Sequence, residues 1–286
     1  MTDIHPSTTV RNDVSAVSDG QSTGCIVYWS LSGRVPATEL LTALEDMADI
    51  PPESGPKLAG EREMLARAVK IVAGRRREVL LDSCRGDFQL VYREEPDGGA
   101  STPVYSGKLR VHLGDDGEVV YSDSAHPLCA EISNEYSARR GCFDTREISV
   151  WLTELLDKSH AVRMRPRGGF YYLPGARVLQ FRAAVMALRA CSEHVVYEIP
   201  AMSSRETAEA IISALRHEVE AATQRAQELM EGSPGKRARR THLAELVKVK
   251  IKLGAYAEFM DGTLDGVITA LDNASAVVSQ TLLEGE

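Results

Sequence analysis

No apolar run in this 286-residue chain approaches the roughly 20 residues a helix needs to cross a bilayer, so no membrane span is expected. The start, MTDIHPSTTVRNDVSAVSDGQSTG, lacks the basic and apolar regions of a secretory signal. Rich in Ser, Thr, Asp and Gly, residues 1–23 read as a disordered tail. Cysteine is sparse: Cys25, Cys84, Cys129, Cys142 and Cys191 are odd in number, scattered and never spaced as CxxC. That pattern argues against a disulfide framework and suits reduced thiols in a cytoplasm.

The familiar catalytic signatures are missing too. GSPGKR offers a Gly-Lys pair, but a phosphate-binding loop needs glycine where Met230 stands and Ser or Thr where Arg237 stands. HEVEA at 217–221 begins like a zinc helix, yet Ala221 replaces the second histidine. No GxGxxG follows a strand and no GxSxG elbow occurs. His112 falls within a predicted strand, and Asp115 and Asp116 sit in GDDG, where turn chemistry accounts for them. No catalytic residue, cofactor or metal is therefore expected.

What is present begins with an uneven charge. The net is −8, yet residues 136–192 hold ten Lys/Arg against four Asp/Glu, a local +6 that suits an anionic partner or the chain's own acidic flanks. Periodicity predicts a strand at 24–33 and helices at 35–47 and 60–77. EVLLD, DFQLVYRE, TPVYSGKLRVHLG and EVVYSD follow as hairpin-linked strands, making residues 24–123 an α+β domain with an antiparallel meander. Residues 124–202 form a basic segment of helix, turn, helix and hairpin, then a third helix and a strand.

That segment resembles the later part of a winged helix-turn-helix module. The resemblance rests on Gly141 in the turn, the Ile148–Leu156 stripe and the Arg167-Gly168-Gly169 wing tip, about 50 residues within 125–175. It implies duplex-DNA binding through the second helix with the wing on the backbone. The matching helix departs from that pattern, carrying Glu147, Glu154 and Asp157 against Arg146 and Lys158.

The hairpin itself, HAVRMRPRGGFYYLPG (160–175), alternates arginines with aromatics. A turn over Pro166–Gly169 that pairs Arg165 with Phe170 puts Val162, Met164, Tyr171 and Leu173 on a core face. Arg163, Arg165, Phe170 and Tyr172 then share an outer face with Arg167 at the tip, a set suited to phosphates and bases. Intramolecular stacking of the same residues is the plainer alternative.

Residues 203–286 carry the longest pattern. Apolar residues step by alternating fours and threes through Leu215 and Val219, and again after GSPG through Leu253, Met260, Leu264 and Leu271. This is a coiled-coil seam, interrupted at Lys250, predicting an antiparallel helical hairpin with arms of roughly 40 and 60–70 Å. Arms so unequal leave part of the longer one without a partner inside its own hairpin. KRARR at the bend (Lys236, Arg237, Arg239, Arg240) gathers positive charge at the tip.

Three readings follow. The first is a non-catalytic assembly protein that oligomerises or docks a protein partner through the seam. The second is nucleic-acid binding through the hairpin arginines and KRARR. The third is an enzyme whose residues converge only in three dimensions.

Overall fold

The computed structural model describes residues 22–74, 77–82, 87–94, 104–165, 168–232, 235–257, 268–269, 272–273 and 276. In order they form β1 (Ser22–Ser30), β2 (Val35–Pro36), α1 (Ala37–Ala48), a 3-10 turn at Pro52–Ser54, α2 (Glu61–Ala73), β3 (Arg77–Asp82) and β4 (Asp87–Glu94). Next come β5 (Val104–Leu113), β6 (Val119–Tyr121), α3 (Leu128–Ser137), β7 (Cys142–Phe143), α4 (Thr145–Lys158), β8 (Val162–Arg163) and β9 (Tyr171–Pro174). The chain continues with α5 (Gly175–Ala190), β10 (Val195–Met202), α6 (Arg205–Glu231) and α7 (Lys236–Ala257). It is a mixed α+β fold with antiparallel sheets. None of the described helices is long and apolar enough to cross a membrane.

The elements gather into two compact units that do not follow the consecutive division at 123/124 and 202/203. One unit holds residues 29–158 and 179–196; the other holds the described residues up to Tyr28, Ser159–Val178, and those from Tyr197 on. The reason is strand pairing: β1 pairs with β9, about 150 positions later, in the register Gly24↔Pro174 to Val27↔Tyr171. The hairpin therefore belongs with β1 and the C-terminal helices, whereas α3 and α4 belong with the meander.

In the meander unit, β3-β4-β5-β6 form one antiparallel sheet, as the strand pattern predicts. Alternation puts Phe88 and Leu90 of β4 beside their partners Val111 and Leu109 of β5. Met64, Leu65, Ala68 and Val69 of α2 and Ile132 of α3 close over them in one core. Helix α4 buries the stripe Ile148, Trp151, Leu152 and Leu156. Gly141, at φ +72°, provides the left-handed turn that separates α3 from β7.

The hairpin unit is built on a sheet of order β10-β1-β9-β8. Ala214, Leu215, Val219, Ala222 and Ala226 of α6 pack with Leu246, Leu253 and Tyr256 of α7, and this layer covers Val162, Tyr172 and Ala201 of the sheet. Alanines at three of those positions let the helices approach closely. Helices α6 and α7 run antiparallel, since they join through residues 232–235 and Lys252 pairs with Glu218 at 2.6 Å.

The second arm, however, is not one long rod. Lys250 meets Asp272 at 2.5 Å, whereas 22 residues of continuous helix would hold them roughly 33 Å apart. Asp272 therefore lies beside α7, and Ile268 packs against the same core.

Candidate functional site

The sequence places six residues on the seam, and the structure describes three. Leu215, Val219 and Leu253 are 1%, 3% and 0% exposed, buried in the core of their own unit rather than offered to a partner. The heptad pattern marked them correctly as apolar; the sheet beneath the helices, which no helical periodicity announces, is what covers them. Met260, Leu264 and Leu271 lie outside the described residues.

The hairpin departs from expectation by one residue. Val162 pairs with Tyr172 and Arg163 with Tyr171, and the Met164 N–H donates to the Phe170 carbonyl oxygen at 2.9 Å. A slip of one moves a side chain to the opposite face. Tyr172 therefore joins Val162 in the core, 3% exposed, and donates its hydroxyl to the Thr23 carbonyl oxygen at 2.8 Å. It is not an outer-face contact. Tyr171 is buried too, because β9 is an interior strand with both faces covered.

Arg163 and Arg165 are exposed. The Arg163 guanidinium lies 5.5 Å from the ring centre of Tyr171 and donates to its hydroxyl at 3.2 Å. The Arg165 guanidinium lies 5.7 Å from the centre of Phe170 and crosses the hairpin tip, where a Cβ at Gly168 would come within 2.8 Å of it. Among the described residues no carboxylate forms an ion pair with either arginine. Segment 159–178 contains Arg163, Arg165, Arg167 and Arg177 and no Asp or Glu. The positive field is felt at His160: burial, then the charges of Arg177 and Lys252, push its pKa below the usual histidine value. Arg167 lies outside the described residues.

Two residues that the sequence reading missed extend this surface. Tyr28 of β1 lies with its ring centre 6.0 Å from Phe170 and stacks on Tyr197 of β10 at 4.7 Å and 13°. Strand alternation puts Tyr28 on the same sheet face as Ile26, and Tyr197 on the same face as Ile199 and Ala201. Ile26 and Ala201 are covered by α6 and α7, while Tyr197 and Ile199 remain 42% and 48% exposed. One half of the face is thus core and the other an aromatic row, half-buried at Tyr28 and Phe170 and exposed at Tyr197. The alternation of GCIVYWS and VVYEIPAM carried this signal, but not which strands were neighbours.

KRARR occupies the first turns of α7, with Arg237 and Arg240 exposed and Arg239 partly buried; the side chain of Lys236 is not described. Tyr256, at the other end of α7, donates to the carbonyl oxygen of His160 at 2.9 Å. Sixteen residues separate Arg240 from Tyr256, roughly 24 Å of helix, so the two basic clusters stand apart.

The meander unit offers a shallow cleft of about 250 Å³ beside Leu58, Glu63, Arg67, Glu147 and Trp151. The charges of Glu63, Arg67, Arg146 and Glu147 in it are already engaged. Asp144 accepts the backbone N–H of Arg146 at 2.9 Å, and Glu147 returns the contact by accepting the Asp144 N–H at 3.0 Å, a capping box for α4. Arg67 reaches Glu63, Asp144 and Glu147 at 2.7, 2.5 and 2.7 Å. Burial would raise Asp144, yet hydrogen bonds with Glu147, the Arg146 backbone and Arg67 hold it well below the usual carboxylate range. Burial and the adjacent Asp144 push Glu147 up. Among the described residues no group of three His, Cys, Asp or Glu side chains is placed to hold a metal ion.

Residues 23–285 match the model of a family of unknown function, DUF6744, and the chain belongs to that family. No curated protein and no solved structure matches it.

Proposed function

We propose that this family member is a non-catalytic binding protein that holds nucleic acid at the β8–β9 hairpin. What supports the reading is a pair of exposed arginines, Arg163 and Arg165, held over aromatic rings with no carboxylate paired to them among the described residues. Stacking orients each guanidinium while leaving N–H groups free for the bidentate contacts that phosphates accept. Arg237 and Arg240, at the far end of the helical hairpin, are a second and separate basic patch on which a longer strand would rest.

Fluorescence anisotropy against a labelled mixed-sequence oligonucleotide tests this. Binding weakens with added salt, and an Arg163/Arg165→Ala variant binds more weakly with a log–log salt slope flatter by about one to two units. Equal affinity and equal slope in the two proteins would remove the hairpin from the account.

Assembly is the second reading, and a different observation favours it. Val247 and Ile251, one turn apart on α7, are 46% and 56% exposed, with the exposed Ala244 and Gly254 continuing the stripe. A second copy or a protein partner would cover that stripe, and light scattering reads it: a monomer at every concentration argues against self-association.

A further inference from the structure

The open half of the hairpin unit's sheet has no role in the reading above. Phe170, Tyr28 and Tyr197 come from three neighbouring chain segments and form one row, with centres 6.0 and 4.7 Å apart. The row spans two strand spacings, about 10 Å. One end is closed by the Arg165 guanidinium over Phe170, and the other opens at Tyr197 and Ile199 on the edge strand β10. Its chemistry is one-sided. β1 from Ser22 to Tyr28 holds no charged residue, and segment 159–178 holds arginines without a carboxylate. The carboxylate of β10, Glu198, falls at the alternate register position, on the opposite sheet face from Tyr197 and Ile199.

We infer that the Phe170–Tyr28–Tyr197 row is a stacking platform whose free outer ring face, that of Tyr197, takes an unpaired base of a single-stranded nucleic acid, with the phosphates running along the row toward Arg165. The inference rests on the hairpin reading above and narrows it from nucleic acid in general to an unpaired strand. A protein partner would find apolar area here, but arginines without carboxylates at the end of an aromatic row complement a polyanion with flat bases. Stacking tolerates any base, so no sequence preference is required. A duplex keeps its bases inside, and can offer the platform only phosphates and sugar.

The test compares a labelled oligo-dT strand, an oligo-U strand of equal length and a duplex of that length by anisotropy with the full chain. Both single strands bind more tightly than the duplex. Tyr197→Leu, which keeps apolar bulk but removes the ring, weakens single-strand binding about tenfold, while Tyr197→Phe retains it. Because Tyr197 is 42% exposed and Tyr197→Leu loses only the ring contact with Tyr28, thermal melts of the two variants should stay within a few degrees of the wild type, roughly what a ring pair contributes. A readout on the unaltered protein runs alongside: photocrosslinking of a 5-bromouracil strand, with adducts mapped by mass spectrometry, falls on Tyr28, Phe170 or Tyr197.

If Arg163/Arg165→Ala weakens binding but Tyr197→Leu does not and the adducts lie elsewhere, the platform is wrong and the hairpin reading stands. If no strand binds at all, both fall. A dimer in light scattering that Tyr197→Leu dissociates would overturn the platform in favour of a second copy on this face.

Discussion

Tyr172 donates its hydroxyl to the carbonyl oxygen of Thr23 at 2.8 Å, a bond across 149 residues of sequence that ties β9 to the start of β1. Gly24 lies beneath it: a Cβ there would sit 2.2 Å from the Leu173 carbonyl oxygen and 2.9 Å from the Tyr172 hydroxyl. The two strands therefore approach closely only because position 24 has no side chain. Tyr172→Phe should lower unfolding stability by about 1 kcal/mol, the net worth of one buried hydrogen bond plus its orphaned partner. Gly24→Ala should cost more, since backbone must move. Urea denaturation of both variants measures the order, and an equal or reversed order would mean that β1 and β9 do not meet this way.

Arg67 neutralises two carboxylates that burial has gathered at the start of α4. Taking the cation away leaves Glu147 facing Asp144 without a cation, and leaves Asp144 with Arg139 alone, at 3.1 Å. Arg67→Met should therefore destabilise the protein by about 1–2 kcal/mol, between what an exposed and a fully buried ion pair contribute, since the cluster is half-buried. Adding Glu147→Gln to that variant removes one of the stranded charges and should recover part of the loss. A double variant no more stable than Arg67→Met would show that packing, not charge, is what Arg67 contributes.

The local elements were legible because their signals are local. The meander strands alternate, the stripe Ile148, Trp151, Leu152 and Leu156 recurs at helical spacing, and Ser204 stands just ahead of α6, accepting the Thr207 N–H at 3.2 Å. What the sequence hid was pairing across distance. Nothing in GCIVYWS says that its partner is YYLP, yet that pairing makes β9 an interior strand and buries Tyr172. The burial of Leu215, Val219 and Leu253 within their own unit was hidden for a related reason: heptad spacing tells which residues are covered, not by what. Its regularity through residue 278 also gave no sign that Asp272 would meet Lys250. At the site, Arg163 and Arg165 were found by composition, whereas Tyr28 and Tyr197 join them only once the strand order is known.

His194 is buried, with its Nδ1 accepting the Ser32 N–H at 3.2 Å, so the ring's proton sits on Nε2, which has no partner among the described residues. Burial pushes its pKa below the ordinary value of 6.5. The folded state thus resists a proton that the unfolded chain accepts. Stability is full above pH 6.5 and declines as pH falls from 6.5 toward the lowered native value. His160, shifted the same way, adds to the decline. His194→Asn, whose Oδ1 can accept the Ser32 N–H without titrating, should flatten the loss between pH 6.5 and 5 in thermal melts, although it removes ring packing at all pH values. An unchanged slope would place the titration elsewhere.

Burial of the seam separates folding from assembly in a way that two variants can read. Leu253 is fully enclosed by its own unit, so Leu253→Ala should cost about 2–5 kcal/mol through lost transfer energy and a cavity. It should leave the oligomeric state untouched, because nothing outside the unit meets that side chain. Val247 and Ile251 face outward on the same helix, so a Val247→Asp/Ile251→Asp variant should change monomer stability by only about 0.5 kcal/mol. If copies or partners associate along α7, this double variant alone should abolish the association, as light scattering would register. Should Leu253→Ala instead dissociate an assembly while the folded unit keeps its stability, the seam would be an intermolecular contact and the packing of α6, α7 and the sheet described here would be wrong.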